Sequence, residues 1–235
     1  MSTSSWRAVA AAAVAALAGA YALRRISRPR PVTSLALSCA CGRVRGALRP
    51  ASPLRLVCYC DDCQAYAAWL RARMGCSVTV DEHGGQEFLQ CFRADVELER
   101  GCAALLHATV LKQPSPTGLV RLHATCCGAP LFCLFGPPAL PLAQPHVSVC
   151  LSALPELRTE AERAATLGPL AARLNARFAT NKPLDPNYHP KPVGGFSPLF
   201  LATFVCRQLW FRARRAPDPF KGVDEIVILR STVPT

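Results

Sequence analysis

The chain has 235 residues, about half of them hydrophobic, which allows one sizeable core and excludes global disorder. Its formal charge is +12 and unevenly placed: the first acidic residue is Asp61, and nine arginines precede it. Such an excess suits nucleic acid or an anionic membrane. No aromatic-interleaved RNA motif or zinc finger with C…H spacing accompanies it, so nucleic acid is not an expected partner and the excess reads as a targeting or membrane signal.

Residues Ala8 to Leu23 form a run of sixteen apolar residues between Arg7 and Arg24. As a helix the run spans roughly 24 Å, short of a ~30 Å hydrocarbon core. It fits a membrane anchor with RRISRPR (Arg24 to Arg30) on the cytosolic side, which would leave the body of the protein facing the cytosol. It also fits a mitochondrial or plastid transit peptide, being Arg-rich, Ser-bearing and free of acids. A cleaved secretory signal is disfavoured by the arginines that follow, and an ordinary soluble helix is the remaining reading. RPRPVT (Arg28 to Thr33) reads as an extended, solvated linker.

From Ser34 to Leu151 the chain reads as short strands: SLALS, CSVTV, EFLQCF, DVELER, LLHATVL, LVRLHAT, LFCLF and HVSVCL, separated by Gly, Pro or charged turns. One helix is expected between them, Gln64 to Met74, capped by Asp62. His83-Gly84-Gly85 reads as a turn with glycine at positive φ, or as a substrate loop. After Pro155 the apolar residues of Glu156 to Ala179 fall at helical spacing, and Phe196 to Arg215 is a second helical candidate. VDEIVIL near the end reads as a last strand. The expected fold is mainly β with added helices. Its expected parts are an apolar N-terminal helix and linker (1–33), a β domain (34–151), and a helical, Pro-rich extension (152–235).

Thirteen cysteines are many, and the C-x-C and C-x-x-C spacings point to metal in a reducing compartment rather than to disulfides. Three groups stand out: Cys39 and Cys41; Cys58, Cys60 and Cys63; and Cys126 with Cys127. Cys76, Cys91, Cys102, Cys133, Cys150 and Cys206 are scattered along apolar runs and read as buried hydrophobes. Zinc prefers four ligands in a tetrahedron, closed in structural sites and open at one position in catalytic ones. Cys39, Cys41, Cys126 and Cys127 would close one site. Cys58, Cys60 and Cys63 would leave a position open on a second. Three thiolates give a bound Zn²⁺ a net charge of about −1, so its water would be a poor acid. That centre suits the holding of an incoming thiolate better than hydrolysis. The helix that begins at Cys63 would help stabilise thiolate there. Asp61 and Asp62 beside it serve as helix capping and solvation, or as a general base.

SCACGRVRG, then CYCDDCQAYAAWL, then DEHGGQEFLQ and RLHATCCGAPL, resemble the glutathione-dependent formaldehyde-activating enzyme and centromere protein V family. The resemblance covers roughly Leu35 to Phe135. It implies a zinc-binding β-tent core similar to Mss4. It also implies a structural zinc on Cys39, Cys41 and the later cysteine pair, and a catalytic zinc on Cys58, Cys60 and Cys63. The implied activity is carbon–sulfur bond chemistry on a glutathione-type thiol adduct. The family's C-x-x-C-G is here Ala124-Thr125-Cys126-Cys127-Gly128. Cys127 matches the second ligand, and Cys126 replaces a first ligand whose position is Ala124; His123 is the weaker alternative. Three functions are open: a carbon–sulfur lyase using one to two Zn²⁺, a non-catalytic membrane-tethered zinc module for interaction or scaffolding, and a thiol–disulfide protein using Cys60 and Cys63. The third lacks a thioredoxin-like βαβ pattern.

Overall fold

The computed structural model describes residues 34–50, 53–76, 78, 80–110, 119–135, 146–181, 219–221, 223 and 226–228. The apolar run at 8–23, the linker and the helical candidate at 196–215 lie outside the described residues. Among the described residues no helix is long and apolar enough to cross a membrane.

The protein is mainly β. Alternating apolar residues form β1 (Leu35–Ser38), which pairs antiparallel with β2 (Arg45–Leu48). β2 pairs in turn with β5 (Val96–Leu98), giving a three-stranded sheet. The second sheet has eight strands in the order β10-β3-β4-β9-β8-β7-β6-β11. They are β3 (Leu54–Cys58), β4 (Gln86–Phe92), β6 (Leu106–Val110), β7 (Leu119–Ala124), β8 (Pro130–Phe135), β9 (His146–Cys150), β10 (Ala172–Leu174) and β11 (Ile226–Ile228). β10 and β11 join the two edges in parallel, and the other pairings are antiparallel. Strand alternation divides the large sheet's residues between two faces. One face carries Leu89, Leu122, Val147 and Val149 into the main core, which Leu35, Leu37, Val44 and Leu48 of the small-sheet segment complete. The residues between these, including Phe88, Cys133 and Cys150, form a separate buried cluster with Leu56 and Cys63.

Helix α1 (Asp61–Met74) starts one turn earlier than expected. Its N-cap is Cys60 rather than Asp62: the Cys60 Sγ accepts from the Cys63 N–H at 3.4 Å, so the thiol takes the capping role. Cys63, Tyr66, Ala67 and Leu70 form its buried stripe, and Gly75 ends it in the left-handed conformation (φ 61°). The helix expected over Glu156 to Ala179 is a correction. The α-helix there is only α2 (Glu160–Leu167), with a single 3-10 turn at Ala176–Phe178. Thr159 and Glu162 start it with a reciprocal capping box, and Gly168 (φ 88°) followed by Pro169 stops it. Beyond the stop, Ala172–Leu174 satisfies its backbone by pairing with β3 instead. Residues of the expected extension thus belong to the large sheet. CSVTV is not a strand at its described residues 76, 78 and 80. β2, β3 and β10 were not expected from the sequence.

Candidate metal centres

Cys39 and Cys41 follow β1 in a tight turn. Gly42 (φ 75°) lets the chain reverse, and the Val44 N–H donates to Cys39 Sγ at 3.2 Å. Cys126 and Cys127 occupy the turn between β7 and β8. The Gly128 N–H bonds Ala124 O there at 2.8 Å, with Gly128 in the left-handed region (φ 70°). The two turns meet where the small sheet packs on the large one. Cys39 and Cys41 sulfurs are 3.6 Å apart, Cys41 and Cys126 3.3 Å, Cys39 and Cys126 3.7 Å, and Cys126 and Cys127 4.0 Å. All four Sγ atoms lie within 4.8 Å of one another. A tetrahedron of sulfurs at the usual 2.3 Å from zinc has edges of about 3.8 Å, so the donor set fits such an ion. Ala124 is buried at the strand end, and Cys126 takes the place expected of it in the group. His123 stands apart from the sulfurs, stacked edge-on to Trp69 and 3.4 Å from the Tyr66 hydroxyl.

The second group forms where β3 runs into α1. Cys58 ends the strand, Cys60 caps the helix and Cys63 fills its first turn. Their three Sγ atoms also lie within 4.8 Å of one another. Cys63 is buried, and Cys58 and Cys60 are half-buried. Each sulfur meets an N–H group from a different part of the fold. Asn175 Nδ2 donates to Cys58 at 3.6 Å, the Cys63 amide to Cys60 at 3.4 Å, and Arg121 Nη2 points to Cys63 at 4.0 Å. Asn175 adopts a left-handed backbone (φ 57°) directly after β10, and β10 is registered so that Leu174 faces Cys58. The Tyr59 N–H bonds Leu174 O at 3.0 Å, and Gln64 Nε2 bonds both Tyr59 O and Phe178 O, which fixes this segment to the cysteine turn.

The thiols repel shared ionisation. Cys58 is pushed up to about 12, first by its hydrogen bond with Cys60 and then, against the pull of Cys63, by burial. At Cys60 the bond with Cys58 pulls down, but the bond with Cys63 and burial outweigh it, and the thiol again reaches about 12. Cys63 is raised well above the thiol range, first by Cys58 and then by burial, so the helix start expected to favour thiolate there is outweighed. In the other group burial opposes ionisation of Cys39, but the Val44 N–H and the neighbouring sulfurs bring it down to about 7. Three crowded thiols ionise together only when a cation joins them, as metal binding with proton release does. The soft donors select zinc, copper(I) or iron–sulfur chemistry over magnesium or calcium.

The turn at His83-Gly84-Gly85 is present, with Gly84 at φ 81°. It abuts the three-cysteine turn: a Cβ on Gly85 would stand 2.5 Å from the ring of Tyr59. Asp61 and Asp62 occupy the first turn of α1, where their charge favours the helix start. Asn175, Arg121 and Gln86, which bonds Cys150 Sγ at 3.6 Å, were not singled out from the sequence. Their roles come from strand pairing between distant segments, and no local motif signals them.

A mainly β fold with two cysteine groups, one of four sulfurs and one of three, defines a protein able to hold metal ions. The chain belongs to the Family of unknown function (DUF6151), which matches residues 32–229. No curated protein matches it.

Proposed function

We propose that the protein binds zinc at both cysteine groups and works on a glutathione-type thiol adduct at the three-cysteine centre, as a carbon–sulfur lyase. The observation that carries this reading is the ligand count: four sulfurs converge in one group and three in the other. A tetrahedral ion at the second has one position left for an outside ligand. The resemblance of SCACGRVRG and CYCDDCQAYAAWL to the glutathione-dependent formaldehyde-activating family supports the same division.

Zinc at the three-cysteine centre would supply a fixed anchor for the substrate's thiolate. The protein's own contribution is positional. Cys58 and Cys60 are the half-buried ligands and leave the approach on their side, while Cys63 anchors the group from the buried side of α1. Asn175 and the Cys63 amide donate to sulfurs and hold their lone pairs in direction. In the forward sense the glutathione thiolate adds to the carbonyl carbon of formaldehyde, a carbon–sulfur bond forms, and the carbonyl oxygen takes a proton from water. The lyase direction is the reverse.

A non-catalytic metal module for interaction or scaffolding is the second reading. One observation favours it: Cys133 and Cys150 lie in the same buried cluster as Cys63, so a fourth thiol to close the centre is at hand in that cluster. Turnover of S-hydroxymethylglutathione by zinc-loaded full-length protein separates the two. The lyase reading expects turnover that falls at least a hundredfold in Cys60→Ser. Absence of turnover in the wild-type protein with both ions bound would establish the module.

A further inference from the structure

Two arginines are buried in this fold, and they are provided for differently. Arg55, 1% exposed, is held by two carboxylates at 2.6 Å, Glu87 and Glu160. Arg121, 2% exposed, has no carboxylate within ion-pair distance among the described residues. It lies on β7 between Thr109 of β6 and Cys133 of β8. Its Nε has no hydrogen-bond partner among the described residues, its guanidinium carbon stands 5.6 Å from the centre of the Tyr66 ring, and its Nη2 points at Cys63 Sγ. An arginine keeps its charge at any ordinary pH, and a buried charge without a counter-charge is strongly unfavourable. Among the described residues the groups close enough to balance it are thiols: Cys63 and Cys60 of the three-cysteine centre, and Cys133 opposite it on β8.

We propose that Arg121 is the fixed counter-cation of the three-cysteine centre, neutralising the single negative charge that three thiolates leave on a bound divalent ion. This rests on the metal reading of that centre. The charge count also makes Arg121 a specificity-determining residue. A divalent ion gives a neutral cluster with the guanidinium, whereas a monovalent soft cation leaves it with an excess negative charge. The Tyr66 ring, one turn along α1 from Cys63, lies over the guanidinium, and the burial of both side chains keeps water from screening the pair.

The test is zinc and cobalt(II) competition against a chromophoric chelator, on the full chain and on Arg121→Met, Arg121→Gln and Arg121→Lys. Cys60→Ser identifies which of the two equivalents belongs to the three-cysteine centre. Arg121→Met and Arg121→Gln should weaken that equivalent at least tenfold and leave the four-cysteine equivalent unchanged. Arg121→Lys, which keeps the charge, should stay within about threefold of wild type. Circular dichroism checks that each variant folds. Should Arg121→Met fail to fold, Arg121→Gln carries the same expectation. Wild-type affinity at both sites in the neutral variants would overturn the proposal, as would an equal loss in Arg121→Lys. A wild-type chain from which Cys60→Ser removes no metal would instead overturn the metal reading of the centre itself.

Discussion

Asn175 holds a left-handed backbone, φ 57°, and from it directs an amide N–H to Cys58 Sγ at 3.6 Å. That backbone costs about 1 kcal/mol in most residues and less in Asn. Asn175→Gly keeps the turn and loses the donor. It should weaken metal at the three-cysteine centre severalfold, the effect of about 1 kcal/mol for one hydrogen bond. Asn175→Asp would set a carboxylate against a thiolate and should weaken it further; chelator competition reads both. His123 gives a pH-dependent counterpart. Burial, followed by the facing His107, lowers its pKa to about 4. An unfolded chain takes up that proton near pH 6.5 and the folded one does not, so this group destabilises the fold progressively as pH falls from 6.5 towards 4, and has no effect above. The full effect is on the order of 3 kcal/mol. Urea unfolding of His123→Phe against wild type, both stripped of metal, should show the variant gaining relative stability as pH is lowered from 7 to 4.5. A constant difference would contradict the assignment. The seven grouped cysteines were legible because two knuckles with one- and two-residue gaps, taken together with a later adjacent pair, point to metal. Asn175 and Arg121 were not, because each reaches its sulfur from a segment far away in sequence.

At the scale of elements, β3 and α1 form one device: the strand ends in one cysteine of the group, the next caps the helix, and the third faces inward from the helix's first turn. The cap was assigned to Asp62 from propensity, but the Cys60 thiol takes it, which ties the helix start to the metal group. α2 is pinned to this device by ion pairs. Arg55 of β3 bonds Glu87 of β4 and Glu160 of α2, and Arg163 of α2 bonds Glu87 at 2.7 Å. Glu87→Gln leaves Arg55 with the exposed Glu160 as its carboxylate among the described residues, beside the Gly168 carbonyl, and should destabilise by about 3 kcal/mol in denaturant unfolding, the low end for breaking a buried pair. A change under 1 kcal/mol would mean that Glu160 alone suffices. The sequence misled here in one direction. Apolar residues at helical spacing continue past Leu167, yet Gly168-Pro169 ends the helix and the spacing beyond serves β10 instead. β2 and β3 are short, and RGAL and LRLVC carry no alternation that a pattern can find.

At the scale of the whole molecule, the two cysteine groups occupy different mechanical positions. The four-sulfur group joins the turn after β1 to the β7–β8 turn, and so fastens the small sheet to the large one. The three-sulfur group lies at the end of β3, where β10 and the Asn175 turn wrap around it. On the proposed reading the first would carry the fold, and the second would be alterable with the fold intact. The mainly β class and the gathering of the cysteines into groups of four and three were readable from the sequence. The joining of residues beyond 152 to the central sheet was not, because parallel edge pairing leaves no local pattern. The most direct measurement is the zinc content of the reduced full-length protein and of Cys60→Ser. The account predicts two equivalents in the wild type and one in the variant, with circular dichroism unchanged. Equal zinc content in the two proteins, or a variant that unfolds as it loses the ion, would contradict it.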